Sequence, residues 1–148
     1  LNDVCSLQLV RLRSLGVSVT FCVDYFDFRR LDNADFLIDG IFGVGFRGVL
    51  KDRFLDMFKG LNSAQIPIVS LDIPSGLNGD TGQGYDSCIQ AGLTLSIAGY
   101  KKGFLSNDSK QAIGECVLVD LGVPSFVYES ILGVSCSLFL NSPFCKVI

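Results

Sequence analysis

Histidine is absent from the 148 residues of this chain, and that gap removes two kinds of chemistry. Ser-His-Asp and Cys-His nucleophile systems need an imidazole to take a proton, and zinc sites of the usual Cys/His kind need one as a ligand. Acid–base work falls instead to Asp, Glu, Lys, Tyr or Cys. The six cysteines, at positions 5, 22, 88, 116, 136 and 145, form no C-x-x-C pair, so no structural thiolate metal site is expected. Cys22 and Cys116 fall in apolar stretches that read as strands. They are predicted to be small buried hydrophobes in a reduced, intracellular compartment, cytoplasmic or mitochondrial alike. Clustered Lys and Arg are lacking too: with a formal charge of −3 and a pI of about 4.7, the chain has nothing to follow a phosphate backbone, and nucleic acid is not an expected partner. No apolar run approaches the ~18 residues of a membrane span. Leu1 is neither an initiator Met nor the start of a signal peptide, so the chain is expected to begin inside a longer polypeptide.

What remains is strongly apolar. Hydrophobic residues make up 49% of the chain, charged residues 18%, and the mean hydropathy is +0.44. These values predict one domain over residues 1–148 that buries strands on both faces. Residues 4–15 (VCSLQLVRLRSL) carry apolar side chains at helical spacing up to Gly16, a C-cap, and VSVTFCV (17–23) reads as a strand. FLIDGIF (36–42), the helix VLKDRFLDMFKGL (49–61) and the strand IPIVSLDI (66–73) form a βαβ unit. LTLSIAG (93–99) and ECVLVDLG (115–122) add two strands. Apolar strands separated by helices predict an α/β fold, a mainly parallel sheet covered by helices. The apolar tail, 125–148, has no assigned role; packing on the sheet and burial in a dimer contact are both open.

Two acids interrupt these apolar strands. In SLDIPSGLNGDTG, from Ser70 to Gly82, Asp72 stands near a strand end just before a Pro-Ser-Gly turn, and Asp39 stands likewise before a glycine turn. A carboxylate removed from water costs several kcal/mol unless it is paired, hydrogen-bonded or bound to a cation. Ligands of parallel sheets bind beyond the carboxyl ends of the strands, so both acids are placed at such a crevice if their strands are neighbours. The plainer reading is that each acid caps a turn. After Asp39, Gly43, Gly45 and Gly48 satisfy G-x-G-x-x-G between strand and helix, a pattern that lets backbone approach a phosphate. Asp72 lies about 20 residues on, where a dinucleotide fold puts a ribose-binding acid, which also suits a dehydrogenase-type nicotinamide domain.

The ordered elements DGIFGVGFRG, PIVSLDIPSGLNGDTG, AGLTLSIAGYKKGFL and VLVDLGVP are more distinctive. Over about residues 35–124 they resemble the N-terminal YjeF-type domain, the NAD(P)HX epimerases. The resemblance implies a Rossmann-like three-layer α/β/α sandwich that interconverts the R and S epimers of NADHX and NADPHX, so that a separate dehydratase can restore the cofactor. It implies that Asp39 and Ser75 bind a potassium ion. It also implies that Gly43, Val44, Gly45, Phe46, Arg47, Gly48 and Val49, with Asp72, contact the dinucleotide. Asp72 would face the hydrated nicotinamide ring as general acid and base, stabilised by the nearby cation and turn N–H groups. Family members are often dimers, so a homodimer is open to this chain.

The chain also departs from that pattern. The family's Asn-Asn-Gly-Gly-Asp phosphate loop has no counterpart, LNDVC (1–5) standing at its place, and Gly92 replaces a usual Asp. In the family's A-P-K-P-G stretch Lys101 keeps the lysine, while Tyr100 and Lys102 replace the prolines; Lys101 is expected to be a solvated loop lysine rather than a phosphate contact. Asp80 and Thr81 are expected to shape a turn, and Asp120 is a further acid at a strand end. Three functions follow in order: an epimerase, a binding-only dinucleotide module of the same fold, and a dehydrogenase-type domain. The last is disfavoured because Asp39 lies within the strand and DIPSG has no counterpart there.

Overall fold

The computed structural model describes residues 3–22, 25–46, 50–84, 88–133 and 142–147. A five-stranded sheet forms its centre, with β1 (Leu37–Asp39), β2 (Ile68–Leu71), β3 (Leu93–Ile97), β4 (Glu115–Val119) and β5 (Phe144–Val147) side by side in chain order. β1 to β4 are parallel, and β5 runs antiparallel on β4. The α/β fold with a mainly parallel sheet is therefore as expected. The tail supplies α4 (Ser125–Leu132) and the edge strand β5.

Consecutive parallel strands joined by right-handed crossovers send each connection over the same face. That face holds Asp39, Ile68, Ser70, Thr94, Ser96, Cys116 and Leu118, all buried. Helix α2 (Asp52–Ser63) covers one end of it: Phe58 packs with Leu50, Ile68 and Ile89. Ile73, Leu77 and Phe104, with Ala112 and Ile113 of the short α3 (Lys110–Ile113), cover the other end around Cys116. On the opposite face Ile38 and Leu71 are exposed; elsewhere, α1 (Asp3–Ser14) buries none of its residues.

Helix α1 ends as predicted at Gly16. With φ +74°, Gly16 donates to the Arg13 carbonyl (3.0 Å), and Val17 N–H reaches back to Leu12 (3.0 Å), the paired bonds of a left-handed helix cap. The strand expected over 17–23 does not form in its described part, residues 17–22. A strand needs a partner for its backbone groups, and β-propensity alone does not supply one. Cys22 accordingly lies exposed rather than buried, whereas Cys116 is buried in β4 as predicted.

Candidate active site

β1 and β2 are neighbours, and Asp39 stands opposite Ser70. The Asp39 carboxylate is only 5% exposed, and four donors meet it. Oδ2 accepts from the Ser70 hydroxyl (2.9 Å) and Ser75 N–H (2.8 Å); Oδ1 accepts from the Ser75 hydroxyl (2.6 Å) and Ile41 N–H (3.3 Å). The Ser75 oxygen in turn accepts from Phe42 N–H (2.9 Å). These bonds latch the exit of β1 to the Pro-Ser-Gly turn after β2.

The latch hydrogen-bonds the carboxylate without neutralising it. Among the described residues no basic side chain pairs with Asp39. Buried charges are normally paired or hold a cation. Beside Asp39 Oδ1, the Ser75 hydroxyl stands 3.5 Å from the Phe42 carbonyl oxygen. Carboxylate, hydroxyl and carbonyl oxygens are the ligand types of hard cations, and carbonyl oxygens are those that replace water around potassium. The oxygens present therefore fit a hard cation.

Asp72 meets a different environment. Its φ of +69° is left-handed, a conformation that costs a non-glycine residue of order 1–2 kcal/mol. The turn breaks the alternation of β2 and sends the side chain toward β3. There Oδ1 accepts from Lys101 Nζ at 2.6 Å and from Ile97 N–H at 3.3 Å. Among the described residues nothing donates to Oδ2. The two carboxylates thus leave adjacent strands but share no partner: Asp39 points into the covered face, Asp72 toward β3.

Lys101 is not the solvated lysine expected. Its side chain is 16% exposed, and Nζ also donates to the carbonyls of Ile97 (2.9 Å) and Gly99 (3.0 Å). A strand-end carboxylate half withdrawn from water draws in the ammonium that follows the next strand. What compensates Asp72 is therefore Lys101 together with the Ile97 N–H.

The glycine loop follows β1. Phe46 N–H closes a turn onto Gly43 (3.1 Å), and its ring stacks on Phe42 with centroids 4.3 Å apart. A Cβ on Gly43 or Gly45 would meet nothing within 4 Å, and neither glycine has a positive φ. Among the described residues, neither packing nor backbone conformation demands glycine there. Arg47, Gly48 and Val49 lie outside the described residues. Val44 Cγ1 comes within 3.6 Å of where a Gly79 Cβ would stand, so this loop adjoins the one that follows DIPSG.

In that second loop Asn78 Oδ1 accepts from Asp80 N–H (2.9 Å) and Thr81 N–H (3.0 Å), forming the turn. Gly82 and Gly103 then touch backbone to backbone, and Gly103 N–H donates to the Gly79 carbonyl (2.7 Å). The NGDTG turn thereby buttresses the segment that carries Lys101. Asp120 caps its own turn through Gly122 N–H (2.9 Å). Nearby, burial pushes the thiols of Cys88 and Cys116 above the usual cysteine range.

Ser70 was not singled out by sequence reasoning. Its sole signal was a hydroxyl inside an apolar strand, because its partner Asp39 lies 31 residues away.

Comparison with known proteins identifies the family. The profile described as "YjeF-related protein N-terminus" matches residues 1–103. The chain is similar to the NAD(P)H-hydrate epimerase of Legionella pneumophila (strain Philadelphia 1), with 30% identity over 115 residues, 78% of this chain and 43% of that protein. It is similar to the bifunctional NAD(P)H-hydrate repair enzyme Nnr of Vibrio cholerae, with 37% identity over 92 residues, 62% of this chain and 19% of that protein. It therefore spans less than half the length of either relative. In fold it resembles the crystal structure of yeast ynu0, YNL200c, with a TM-score of 0.75 and 21% identity, covering 95% of this chain and 59% of that one. With the family profile matched over more than half its length, the chain belongs to the YjeF-related protein N-terminus family.

Proposed function

We propose that this chain is the epimerase domain of NAD(P)H-hydrate repair, an isomerase that interconverts the R and S epimers of NADHX and NADPHX. Besides family membership, one observation carries the reading: Asp72 is held by one oxygen while, among the described residues, nothing donates to the other. In the hydrated ring C6 bears both a hydroxyl and the ring nitrogen. Inversion needs reversible loss of that hydroxyl, or ring opening through the C6–N bond. Either route moves a proton to or from the C6 oxygen, and Asp72 Oδ2 is the group that moves it.

The loop from Gly43 to Val49 binds the dinucleotide, with the backbone of Gly43 and Gly45 approached directly. Asp39 and Ser75 hold potassium, with the Phe42 carbonyl oxygen beside them. When bound, the ion supplies the positive charge that the Asp39 latch lacks. The same reading suits an intracellular protein and leaves a homodimer open to it.

The test is the rate at which the folded chain equilibrates separated R- and S-NADHX above the buffer background, in potassium and then in sodium. The expected result is acceleration that weakens when sodium replaces potassium. Equal rates in the two salts would remove potassium from the reading. No acceleration at all would leave a binding-only module of the same fold.

A further inference from the structure

We infer that Lys101 is the positioning residue of this site, fixing Asp72 so that a single carboxylate oxygen faces the substrate; this rests on the epimerase reading above. An ammonium has three donors. Lys101 spends them on Asp72 Oδ1 (2.6 Å), the Ile97 carbonyl (2.9 Å) and the Gly99 carbonyl (3.0 Å). None is left for a phosphate or for the C6 hydroxyl. Lys101 therefore acts through Asp72 and does not touch substrate.

The surrounding backbone is shaped for that contact. Ala98, with φ +59°, lies between the two carbonyls that Lys101 takes. Left-handed alanine is strained, and such strain persists where the surroundings hold it. Here the turn lets Ile97 and Gly99 offer their oxygens to one ammonium. Gly99 is tied further, since its carbonyl also accepts from the Ser96 hydroxyl (2.7 Å) and its N–H donates to Ile97 (2.7 Å). From the other side, Gly103 N–H is anchored on Gly79 (2.7 Å), so the NGDTG turn fixes the lysine segment. Lys101 and Ile97 N–H together pin Oδ1, and the rotation that would exchange the two oxygens is blocked.

The experiment is a double-mutant cycle on epimer equilibration, run with an ammonium spectrum that needs no activity. Lys101→Met should lower kcat by about 10²-fold, the scale of a misplaced catalytic group, while KM for NADHX changes less than about threefold. Adding it to Asp72→Asn should slow that variant no further, because the lysine has no route to substrate except through the carboxylate. In 15N-lysine-labelled wild-type chain, the Lys101 ammonium protons should be slow enough in exchange to be seen, and Asp72→Asn should abolish the signal. A Lys101→Met chain as fast as wild type, a further loss in the double variant, or an ammonium signal indifferent to Asp72→Asn would each overturn the inference. A wild-type chain that fails to accelerate equilibration but shows the ammonium signal would overturn the epimerase reading and the catalytic role of the pair, while the contact itself would stand.

Discussion

Asp39 and Asp72 leave adjacent parallel strands with the same side chain and settle in opposite states. Asp39 is nearly sealed, with four donors on its two oxygens and no counter-charge among the described residues. Asp72 is partly open, with an ammonium on one oxygen, no donor to the other among the described residues, and a strained backbone beneath it. Hydroxyls and N–H groups that saturate a carboxylate build a latch. A single cation that pins one oxygen leaves the carboxylate half engaged. The pair shows how one sheet edge can place two identical side chains in different electrostatic surroundings.

The largest expected effect falls on the open acid. Asp72→Asn should lower the epimerisation rate by roughly 10²- to 10⁴-fold, the range of a lost general acid–base. Its urea midpoint should shift by less than that of any Asp39 variant. Wild-type activity in Asp72→Asn would make both acids structural and end the contrast.

The next effect belongs to the sealed acid. Asp39→Ala strands the buried hydroxyls of Ser70 and Ser75, and unmet buried donors of this kind cost about 1–3 kcal/mol each. Urea unfolding should therefore show a loss of about 3 kcal/mol. A loss well under 1 kcal/mol would mean that the latch does not hold the β1 exit.

The smallest effect reads the Asp39 charge directly. The Cys88 thiol is pushed up mainly by burial and next by the Asp39 carboxylate. Removing that negative charge in Asp39→Asn should lower the Cys88 value and speed its alkylation between pH 8 and 9, relative to Cys116. Unchanged alkylation would mean that the carboxylate's field is already neutralised. The sign for stability follows the same way: a thiol raised in the folded state stabilises fully below the ordinary cysteine value of about 8.5 and loses that contribution as pH rises through the folded value.

Legibility differed between fold and site. The strands were readable because both ends of their signal are local, as in IPIVSLDI and LTLSIAG, where unbroken apolar runs suit a sheet interior. VSVTFCV carried the same local signal and formed no strand over its described residues, because a ladder needs a neighbour that local sequence does not reveal. The two acids were readable as anomalies within apolar strands. Most of their partners were not: Ser70 stands 31 residues from Asp39 and Ile97 stands 25 from Asp72, whereas Ser75, 36 residues from Asp39, was joined to it only through the family resemblance.

By itself, then, the sequence determined a mainly parallel α/β sheet, acids at two strand ends, a glycine turn after the first of them, and the family to which they belong. Only the tertiary structure decided which acid is sealed and which is partly open. Strand register set Asp39 opposite Ser70, and a left-handed turn at Asp72 swung its carboxylate to Lys101. A charge is assigned its role by what stands within about 3 Å of it, and in a parallel sheet those neighbours come from distant parts of the chain.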